Sequence, residues 1–337
     1  TAPSLAALIQ SNLQAADPSR SAAALRLLPK ENGKFRPIVA FKRLPSTEEG
    51  NRLRASFDVL KLAFEQAAQD SSSIIGMDQI QERLLRYKKQ HTGPLYMAKV
   101  DIANCFDSIP QDRLLHVLRR LLHPGTFLVK RVDTVQTDLI SGRPSRRITR
   151  LAYNLNAAGD CDELRVPRHA IAVDRVAGRL HDGADLLAVI SEHLAHSTVC
   201  IDGKYYKQRH GIPQGSFLST LLCGLFYAQF DREHLAGLTG HPGTLVLRYV
   251  DDFLFIAPDY RVINQLLDAV SASTTTYNIT LSHDKTRTNF HRATGEFLPD
   301  AKFAWCGLLL DRGSMDVSAD YANFHDTCTQ PTWLTHL

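Results

Sequence analysis

Two adjacent carboxylates stand between two apolar runs in the stretch Arg248-Tyr249-Val250-Asp251-Asp252-Phe253-Leu254. The runs, 245–250 and 253–257, predict a buried β-hairpin with the acids at its tip. Because an uncompensated buried carboxylate costs several kcal/mol, the pair indicates a bound cation, most simply a divalent metal. A polar hairpin turn is the alternative explanation for the Asp–Asp pair taken alone.

A third acid, Asp101, ends another apolar strand predicted over 95–102. Three carboxylates on buried strands are able to hold two Mg²⁺ ions about 3.5 to 4 Å apart, which activate a hydroxyl nucleophile and stabilise a departing pyrophosphate. Between the acidic segments lies the loop Gly211-Ile212-Pro213-Gln214-Gly215-Ser216, whose glycines let backbone approach a nucleotide closely. For this loop taken alone, a structural turn is the alternative.

The rest of the chain mixes helical and strand patterns, which predicts an α+β protein. We expect helices over 4–14, 48–69, 78–90, 111–122, 216–235 and 260–276, and strand pairs over 24–28 with 35–41, within 198–208, and within 302–311 with a turn at 311–313. Residues 123–198 are punctuated by Pro and Gly and show no clear period.

Composition excludes several classes of protein. With 44% hydrophobic and 22% charged residues among 337, the chain is neither disordered, collagen-like nor disulfide-rich. Its six cysteines contain no Cys-x-x-Cys pair, which favours free thiols, and no apolar run reaches the roughly 18 residues of a membrane span. The net charge of +4 is modest, but 113–150 carries nine basic and two acidic residues. A solvated face is the alternative to nucleic-acid binding there.

The order of these segments resembles the palm of a reverse transcriptase, and the whole chain resembles the telomerase reverse transcriptase family. The segments that carry the resemblance are, in chain order, 25–30 and 36–39 in the fingers, 100–110 (motif A), 211–223 (motif B), 250–254 (motif C), 281–286 (motif D) and 305–311 (primer grip). This resemblance implies a right-hand polymerase fold, with an antiparallel palm sheet backed by helices and helical fingers with a large insertion.

The resemblance also implies a domain division. Residues 1–98 would be fingers, 99–122 palm with motif A, 123–198 an insertion in the fingers, 199–314 palm with motifs B, C, D and the primer grip, and 315–337 the start of, or a truncated, thumb. Since little chain lies outside the motifs and residue 1 is Thr, we expect a catalytic core cut from a larger protein.

Catalytic roles follow from the matching positions. Asp101, Asp251 and Asp252 would hold the two Mg²⁺ ions, with the backbone carbonyl of Ile102 as an extra ligand. Lys285 would protonate the leaving pyrophosphate as a general acid, and a solvent-facing loop lysine is its alternative.

Substrate-binding roles are implied in the same way. Lys30 and Arg36 would neutralise the incoming triphosphate, with Lys34 a rival for Lys30 because the loop between them is one residue longer than expected. Phe106 would be the steric gate that excludes a ribose 2′-hydroxyl, unless it is simply a core aromatic. Among the remaining positions, the nucleotide would lie near Gln214 and Gly215.

Nucleic-acid contacts are expected at two places. The tight turn Trp305-Cys306-Gly307 would grip the primer 3′ end, and Arg143, Arg146 and Arg147 in the insertion would support the template–primer or an accessory RNA.

The resemblance therefore implies an RNA-templated DNA polymerase that extends a DNA 3′ end with deoxynucleotides. Its partners would be telomerase RNA, the DNA primer, dNTPs and other telomerase domains or subunits, with no membrane, and its location would be the nucleus, at telomeres. A mobile-element reverse transcriptase, of group II intron or Penelope-like type, is one alternative, disfavoured by the long insertion and the 305–311 segment. A catalytically silent nucleic-acid-binding scaffold is another, disfavoured by the three acids.

Overall fold

The computed structural model describes residues 13–16, 23–29, 35–40, 48–137, 144–156 and 170–321. The chain forms two compact units, each assembled from two segments. The first unit comprises Thr1–Gln69 and Phe106–Gln229, and the second comprises Asp70–Cys105 and Phe230–Leu337. The division falls between Cys105 and Phe106, so these two consecutive residues belong to different units.

Strands and helices alternate irregularly along the chain. The strands are β1 (Leu13–Ala15), β2 (Ala23–Pro29), β3 (Phe35–Ala40), β4 (Tyr96–Asp101), β5 (Thr126–Thr137), β6 (Pro144–Asn154), β7 (Ala170–Asp182), β8 (Thr198–Ile201), β9 (Lys204–Gln208), β10 (Leu245–Tyr249), β11 (Asp252–Ala257), β12 (Arg287–Thr288), β13 (Lys302–Trp305), β14 (Leu308–Asp311) and β15 (Val317–Ala319). The helices are Glu48–Gln69, Met77–Gln90, Cys105–Ser108, Gln111–Leu122, Gly183–Ala195, Ser219–Phe230, the π-helical Asp231–Leu235, Ala236–Thr239, Tyr260–Ala272 and Thr274–Tyr277.

The first unit contains a five-stranded sheet in the order β1-β9-β8-β2-β3. Its two hairpins, β2–β3 and β8–β9, confirm the strand pairs predicted from the sequence. Strands β2 and β8 pair in parallel and join the hairpins. A small core forms beneath them from Ala23, Val39, Val199 and Ile201.

A second sheet of the first unit, in the order β6-β5-β7, spans the region where the sequence shows no clear period. Its long antiparallel strands pack against the helix Glu48–Gln69, which also contacts the helix Gly183–Ala195. The helix Gly183–Ala195 is capped by the preceding residue, Asp182, whose side chain accepts hydrogen bonds from the amides of Ala184 and Asp185.

The second unit contains an antiparallel sheet in the order β10-β11-β4-β12. The central strand β11 is buried on both faces after its first residue, which explains its continuous apolar run. Met77–Gln90 contributes one apolar face to the same core, and the three-stranded sheet β13-β14-β15 adds another. The largest side chains of this core cluster are Trp305, Tyr87 and Phe303.

The tight turn predicted at Trp305-Cys306-Gly307 joins β13 to β14, with positive φ at Cys306 and Gly307 (47° and 74°), the I′ pattern that matches strand twist. A second turn follows β14 near the predicted 311–313, where the amide of Met315 donates to the carbonyl of Asp311. Two other sequence predictions are corrected in detail. The helix predicted over 216–235 is α-helical over Ser219–Phe230 and π-helical over Asp231–Leu235. At the N-terminus, Leu13–Ala15 is a strand, and 4–12 lie outside the described residues.

No helix in the described part of the chain is long and apolar enough to cross a bilayer.

Candidate active site

Strands β4 and β11 bring two of the predicted acids together in the second unit. Asp101, the last residue of β4, lies directly opposite Asp252, the first residue of β11. Opposed residues of an antiparallel pair have Cβ atoms about 4.5–5.5 Å apart, so the two carboxylates share one small region.

Asp251 lies beside them in the turn between β10 and β11. Tyr249 pairs with Asp252 across the hairpin, which leaves Val250 and Asp251 as a two-residue turn. The carbonyl of Asp251 accepts a hydrogen bond from the amide of Ile102 at 3.3 Å, so the turn is tied to the residue that follows Asp101. The Ile102 side chain is buried, which leaves its backbone carbonyl as the group able to act as a ligand.

The three carboxylates repel one another. Burial and, after it, the charges of Asp251 and Asp101 together raise the pKa of Asp252 to about 6, while Lys99 and Lys285 oppose the rise. The negative charges of the neighbouring carboxylates, and not the burial, are the contribution that would stabilise an added cation.

Lys285 provides part of the compensating charge. Its ammonium donates to both carboxylate oxygens of Asp101, at 3.0 and 3.1 Å. The Lys285 side chain remains 62% exposed, so it faces solvent as well as Asp101.

The chemistry of these side chains fits a hard divalent cation. Carboxylates and a backbone carbonyl are the ligands that Mg²⁺ prefers. Within the described ranges, no group of three or more His, Cys, Asp or Glu side chains is already arranged to hold a metal ion. The carboxylate of Asp101 is instead engaged by the Lys285 ammonium. The placement of Asp101 opposite Asp252, with Asp251 in the adjoining turn, is the observation that makes the fit.

The predicted primer-grip turn lies against this cluster. The Cys306 thiol donates to Asp252 across 3.9 Å. Burial raises the pKa of the Cys306 thiol, and the carboxylates of Asp252 and Asp251 raise it further, so the sulfur stays protonated. Trp305 is only 1% exposed and packs in the core, which leaves Cys306 and Gly307 as the turn residues within reach of a nucleic acid.

The motif B loop is fixed inside the first unit. The amide of Ile212 donates to the carbonyl of Phe106 at 2.7 Å, and Gln111 donates to the carbonyl of Gly211 at 2.8 Å. A Cβ at Gly211 would lie 2.4 Å from the Phe106 carbonyl oxygen, so the loop and the short helix Cys105–Ser108 approach as closely as glycine allows.

The other predicted nucleotide-binding residues of the loop share this framework. The Gln214 side chain lies 3.5 Å from the carboxylate of Asp107, and the Gln214 carbonyl accepts from the amide of Val39 at 2.7 Å. Gly215 packs its backbone against the carbonyl of Val39. Phe106 itself is half-buried, which is compatible with either a gate or a packing role.

The structure describes only one of the residues predicted to bind the triphosphate. Arg36 lies in β3, opposite Leu28 of β2. Lys30 and its rival Lys34 lie outside the described residues.

The basic stretch of the insertion is partly used inside the first unit. Arg146 forms an ion pair with Asp133, which is 4% exposed, and Arg150 pairs with the buried Asp58 at 2.9 Å. Arg147 lies in β6, and Arg143 is outside the described residues. Some of the local positive charge therefore neutralises buried acids instead of facing a ligand.

Two buried groups near the motifs were missed by sequence reasoning. Arg248, inside an apolar strand, is 1% exposed, and its charge within that run was the available signal. His193 shares a hydrogen bond of 2.9 Å with the hydroxyl of Ser216, and burial lowers its pKa to about 4, so the imidazole is neutral near pH 7. No local pattern distinguishes His193 from a surface histidine.

Comparison with known proteins agrees with this geometry. Residues 181–305, which include Asp251, Asp252 and Lys285, match the family described as reverse transcriptase (RNA-dependent DNA polymerase). The telomerase reverse transcriptase of Canis lupus familiaris is 30% identical over 353 aligned residues, covering 93% of this chain, and that of Oryzias latipes is 30% identical over 326, covering 89%. The chain spans 30% of the length of each of these relatives.

Solved telomerase structures share the fold. Apo telomerase from Candida tropicalis superposes with a TM-score of 0.70 at 20% identity, over 95% of this chain and 52% of that one. Telomerase from Candida albicans, in complex with a TWJ fragment of telomeric RNA, gives 0.68 at 17% identity, over 94% and 50%. The predicted right-hand polymerase fold is confirmed. The chain is therefore similar to the telomerase reverse transcriptases over about nine-tenths of its length, and its residues 181–305 match the reverse transcriptase family.

Proposed function

We propose that this chain is the fingers and palm portion of a telomerase reverse transcriptase and extends a DNA 3′ end by copying RNA. The observation that carries the proposal is the opposition of Asp101 and Asp252, with Asp251 in the adjoining turn, in a chain related to telomerase reverse transcriptases over about nine-tenths of its length. The fingers, palm, insertion and thumb boundaries predicted from the sequence are part of the proposal, and 315–337 is described only to Tyr321.

The three acids would hold two Mg²⁺ ions, with the carbonyl of Ile102 as a further ligand. Bound there, the metals supply charge stabilisation at the attacking 3′-oxygen and the departing pyrophosphate. Asp252 must be ionised to act as a ligand, and its pKa of about 6 means that the ionised fraction is still rising as the pH approaches 7.

The other residues would bind the nucleotide and move one proton. The DNA 3′-hydroxyl would lose its proton to solvent, and its oxygen would form a bond to the α-phosphorus as the bond to the pyrophosphate oxygen breaks. Lys285, held on Asp101, would give its proton to that leaving oxygen. Lys30 and Arg36 would neutralise the triphosphate, Phe106 would exclude a 2′-hydroxyl, and Gln214 and Gly215 would lie against the nucleotide.

Partners follow from the same proposal. The template would be a telomerase RNA, since the Candida albicans relative in fold was solved with a telomeric RNA fragment. Its other partners would be a DNA primer, dNTPs and further telomerase domains or subunits, and its place of action the telomere, in the nucleus. The turn Cys306–Gly307 would contact the primer, and Arg143, Arg146 and Arg147 would contribute charge to the template–primer.

The deciding experiment replaces one proposed metal ligand. Asp251→Asn removes a carboxylate charge with little change of shape, so Mg²⁺-dependent extension of a DNA primer on an RNA template should fall by about 10²–10³-fold. Asp268→Asn, on an exposed aspartate of the same unit, is the matched control and should keep full activity. Undiminished extension by Asp251→Asn would remove the metal assignment, and no extension by the unaltered chain would favour a silent scaffold.

A second measurement separates telomerase from a mobile-element enzyme. Added telomerase RNA should convert simple template copying into addition of short repeats to the primer. Copying that never becomes repeat addition, with the protein's other domains present, would favour the mobile-element alternative.

A further inference from the structure

Arg248 is a buried charge that the proposed chemistry does not use. It lies in β10, three residues before Asp251, and its side chain is 1% exposed. A guanidinium has a large desolvation cost and is retained in a protein interior when specific partners hold it. The groups that contact the Arg248 guanidinium therefore indicate which part of the structure it stabilises.

The side-chain partners of Arg248 come from two other segments of the second unit. Arg248 forms an ion pair with Asp231 at 3.4 Å, in the π-helical turn Asp231–Leu235, and donates a hydrogen bond to the hydroxyl of Ser73. Asp231 also accepts from the hydroxyl of Ser72 at 2.6 Å. Because Arg248 and Asp231 are both almost fully buried, this group of four side chains, the Arg248 cluster, is shielded from water and from salt.

The backbone of Arg248 is held by the same segment. Its amide donates to the carbonyl of Ser72 at 2.7 Å, and its carbonyl accepts from the amide of Ile74 at 2.9 Å. The guanidinium also lies over the ring of Phe253, 5.6 Å from the centroid. Both the main chain and the side chain are thus fixed before the turn begins.

The guanidinium also contacts the turn itself. Arg248 donates to the carbonyl of Val250 at 3.1 Å. This carbonyl belongs to the peptide bond that joins Val250 to Asp251, so the hydrogen bond fixes the plane from which the Asp251 side chain departs. The Arg248 cluster therefore reaches the acids through one peptide group.

That peptide group needs support because Val250 is strained. Its φ is +59°, in the left-handed region that β-branched residues avoid. Positive φ at the first residue of a two-residue turn is the II′ pattern, where glycine is usual. Strained residues persist where surrounding contacts over-determine them, and the Arg248 hydrogen bond is such a contact.

We propose that Arg248 is a positioning residue that, together with Asp231 and Ser73, holds the strained Val250 turn so that Asp251 and Asp252 stay in the arrangement that binds divalent metal. This inference rests on the proposed function of the three acids. It explains why a guanidinium with a large desolvation cost lies in this part of the core. It also predicts that an Arg248 variant binds metal poorly because the turn at Val250–Asp251 is displaced.

The test measures metal binding apart from catalysis. Arg248→Lys keeps the positive charge but loses the planar fork that reaches Ser73 and Val250 together. Binding of Mn²⁺ alone, measured by water-proton relaxation on the full chain, should weaken about tenfold, and kcat for primer extension should fall by a similar factor while KM for dNTP changes little. Arg86→Lys, on an exposed arginine of the same unit, should change neither.

A rescue distinguishes positioning from general stability. Glycine adopts positive φ without strain, so Val250→Gly added to Arg248→Lys should restore most of the Mn²⁺ affinity even though it does not restore the thermal midpoint. Should Arg248→Lys fail to fold, Ser73→Ala, which deletes one hydrogen bond, should show a smaller loss of Mn²⁺ affinity and the same rescue.

The outcomes separate this inference from the function on which it rests. A folded Arg248→Lys with unchanged Mn²⁺ affinity and kcat, or a loss that Val250→Gly does not reduce, overturns the positioning role. If Asp251→Asn abolishes Mn²⁺ binding while Arg248→Lys has no effect, only the positioning role fails. If Asp251→Asn itself leaves Mn²⁺ binding and extension intact, the proposed function fails first.

Discussion

Phe106 is the residue on which the proposed choice between deoxynucleotides and ribonucleotides depends. Removal of its ring by Phe106→Ala opens the space that a ribose 2′-hydroxyl needs, so ribonucleotide incorporation should rise relative to deoxynucleotide incorporation, by roughly 10-fold or more for one steric contact of 1–3 kcal/mol. The measurement is the ratio of kcat/KM for dNTP and rNTP on one RNA template.

The matched control is Phe106→Tyr, which keeps the ring and should keep the discrimination. Phe106 also accepts a backbone hydrogen bond from Ile212, which neither substitution removes. An unchanged ratio in a folded Phe106→Ala would return Phe106 to a packing role.

At the scale of single residues, charge in an apolar setting was the informative signal. Asp101, Asp251 and Asp252 could be predicted because a carboxylate at the end of a buried strand needs a reason to be there. Arg248 carries the same signal, but its partner Asp231 lies in a different element, and only the tertiary structure joins them. His193 gives no signal, since its bond to Ser216 depends on packing.

Between elements, the contact of the motif B loop with the helix Cys105–Ser108 requires glycine at 211. Gly211 and Gly203 have the same φ, +75°, but a Cβ at Gly211 would meet the Phe106 carbonyl oxygen at 2.4 Å, whereas nothing lies within 4 Å of one at Gly203. Gly211→Ala should therefore cost about 1–3 kcal/mol more than Gly203→Ala, the penalty of overpacking.

Urea unfolding of the two variants measures that difference directly, because the conformational cost of alanine at positive φ is common to both. Primer extension should also fall in Gly211→Ala and not in Gly203→Ala. Equal stabilities would show that the loop moves away from Phe106 without cost.

A second contact between elements, Asp58 of the helix Glu48–Gln69 with Arg150 of β6, should make stability depend on pH. Burial raises the pKa of Asp58 to about 6, and the Arg150 charge only partly opposes it. The folded state therefore keeps a proton that the unfolded state loses near pH 4, so this group's contribution to stability falls as the pH rises from about 4 to 6 and is constant above, by at most about 3 kcal/mol.

The measurement is the difference in unfolding free energy between the unaltered chain and Asp58→Asn as the pH is varied. That difference should change between pH 4 and 6 and then level off. A difference for Asp58→Asn that does not change with pH would contradict the raised pKa.

Elements with one buried face could be predicted from the sequence, and elements without one could not. The helices over 48–69, 78–90 and 111–122 match the structure to within one residue because their apolar positions repeat at helical spacing. Strands β5, β6 and β7 were missed. Their apolar residues are not confined to a buried face, since Ile148, Ile171 and Leu180 are all at least half exposed, so no alternation appears.

At the scale of the molecule, the modest net charge makes the salt dependence of hybrid binding informative. The logarithm of the binding constant for an RNA–DNA hybrid should fall linearly with the logarithm of the salt concentration. The slope of that line is set by the number of phosphates that the protein contacts. Neutralising one proposed contact, Arg147→Gln, should weaken binding at low salt and reduce the slope by about 1.

Arg292→Gln is the comparison for this titration, since Arg292 pairs with Asp268 on the surface of the second unit. Its slope should equal that of the unaltered chain. If Arg147→Gln also leaves the slope unchanged, the basic stretch is a solvated face, in keeping with the internal ion pairs of Arg146 and Arg150.

The order of the motifs could be predicted from the sequence, but not the way in which the chain divides. Each compact unit is assembled from two segments, and the second segment of the first unit, Phe106–Gln229, interrupts the second unit. Such interleaving follows from contacts between distant residues, which local periodicity does not record.

The pairing of Asp101 with Asp252 has a consequence for how the protein is made. All of Phe106–Gln229 is synthesised between the two halves of the second unit, so β4 leaves the ribosome long before β11 exists to pair with it. Until then β4 is an apolar strand with unpaired edges, the kind of segment that recruits chaperones or aggregates. Because pairings between distant residues slow folding, the carboxylates meet late on the pathway. The contact that joins the proposed metal ligands is therefore one that forms late in folding.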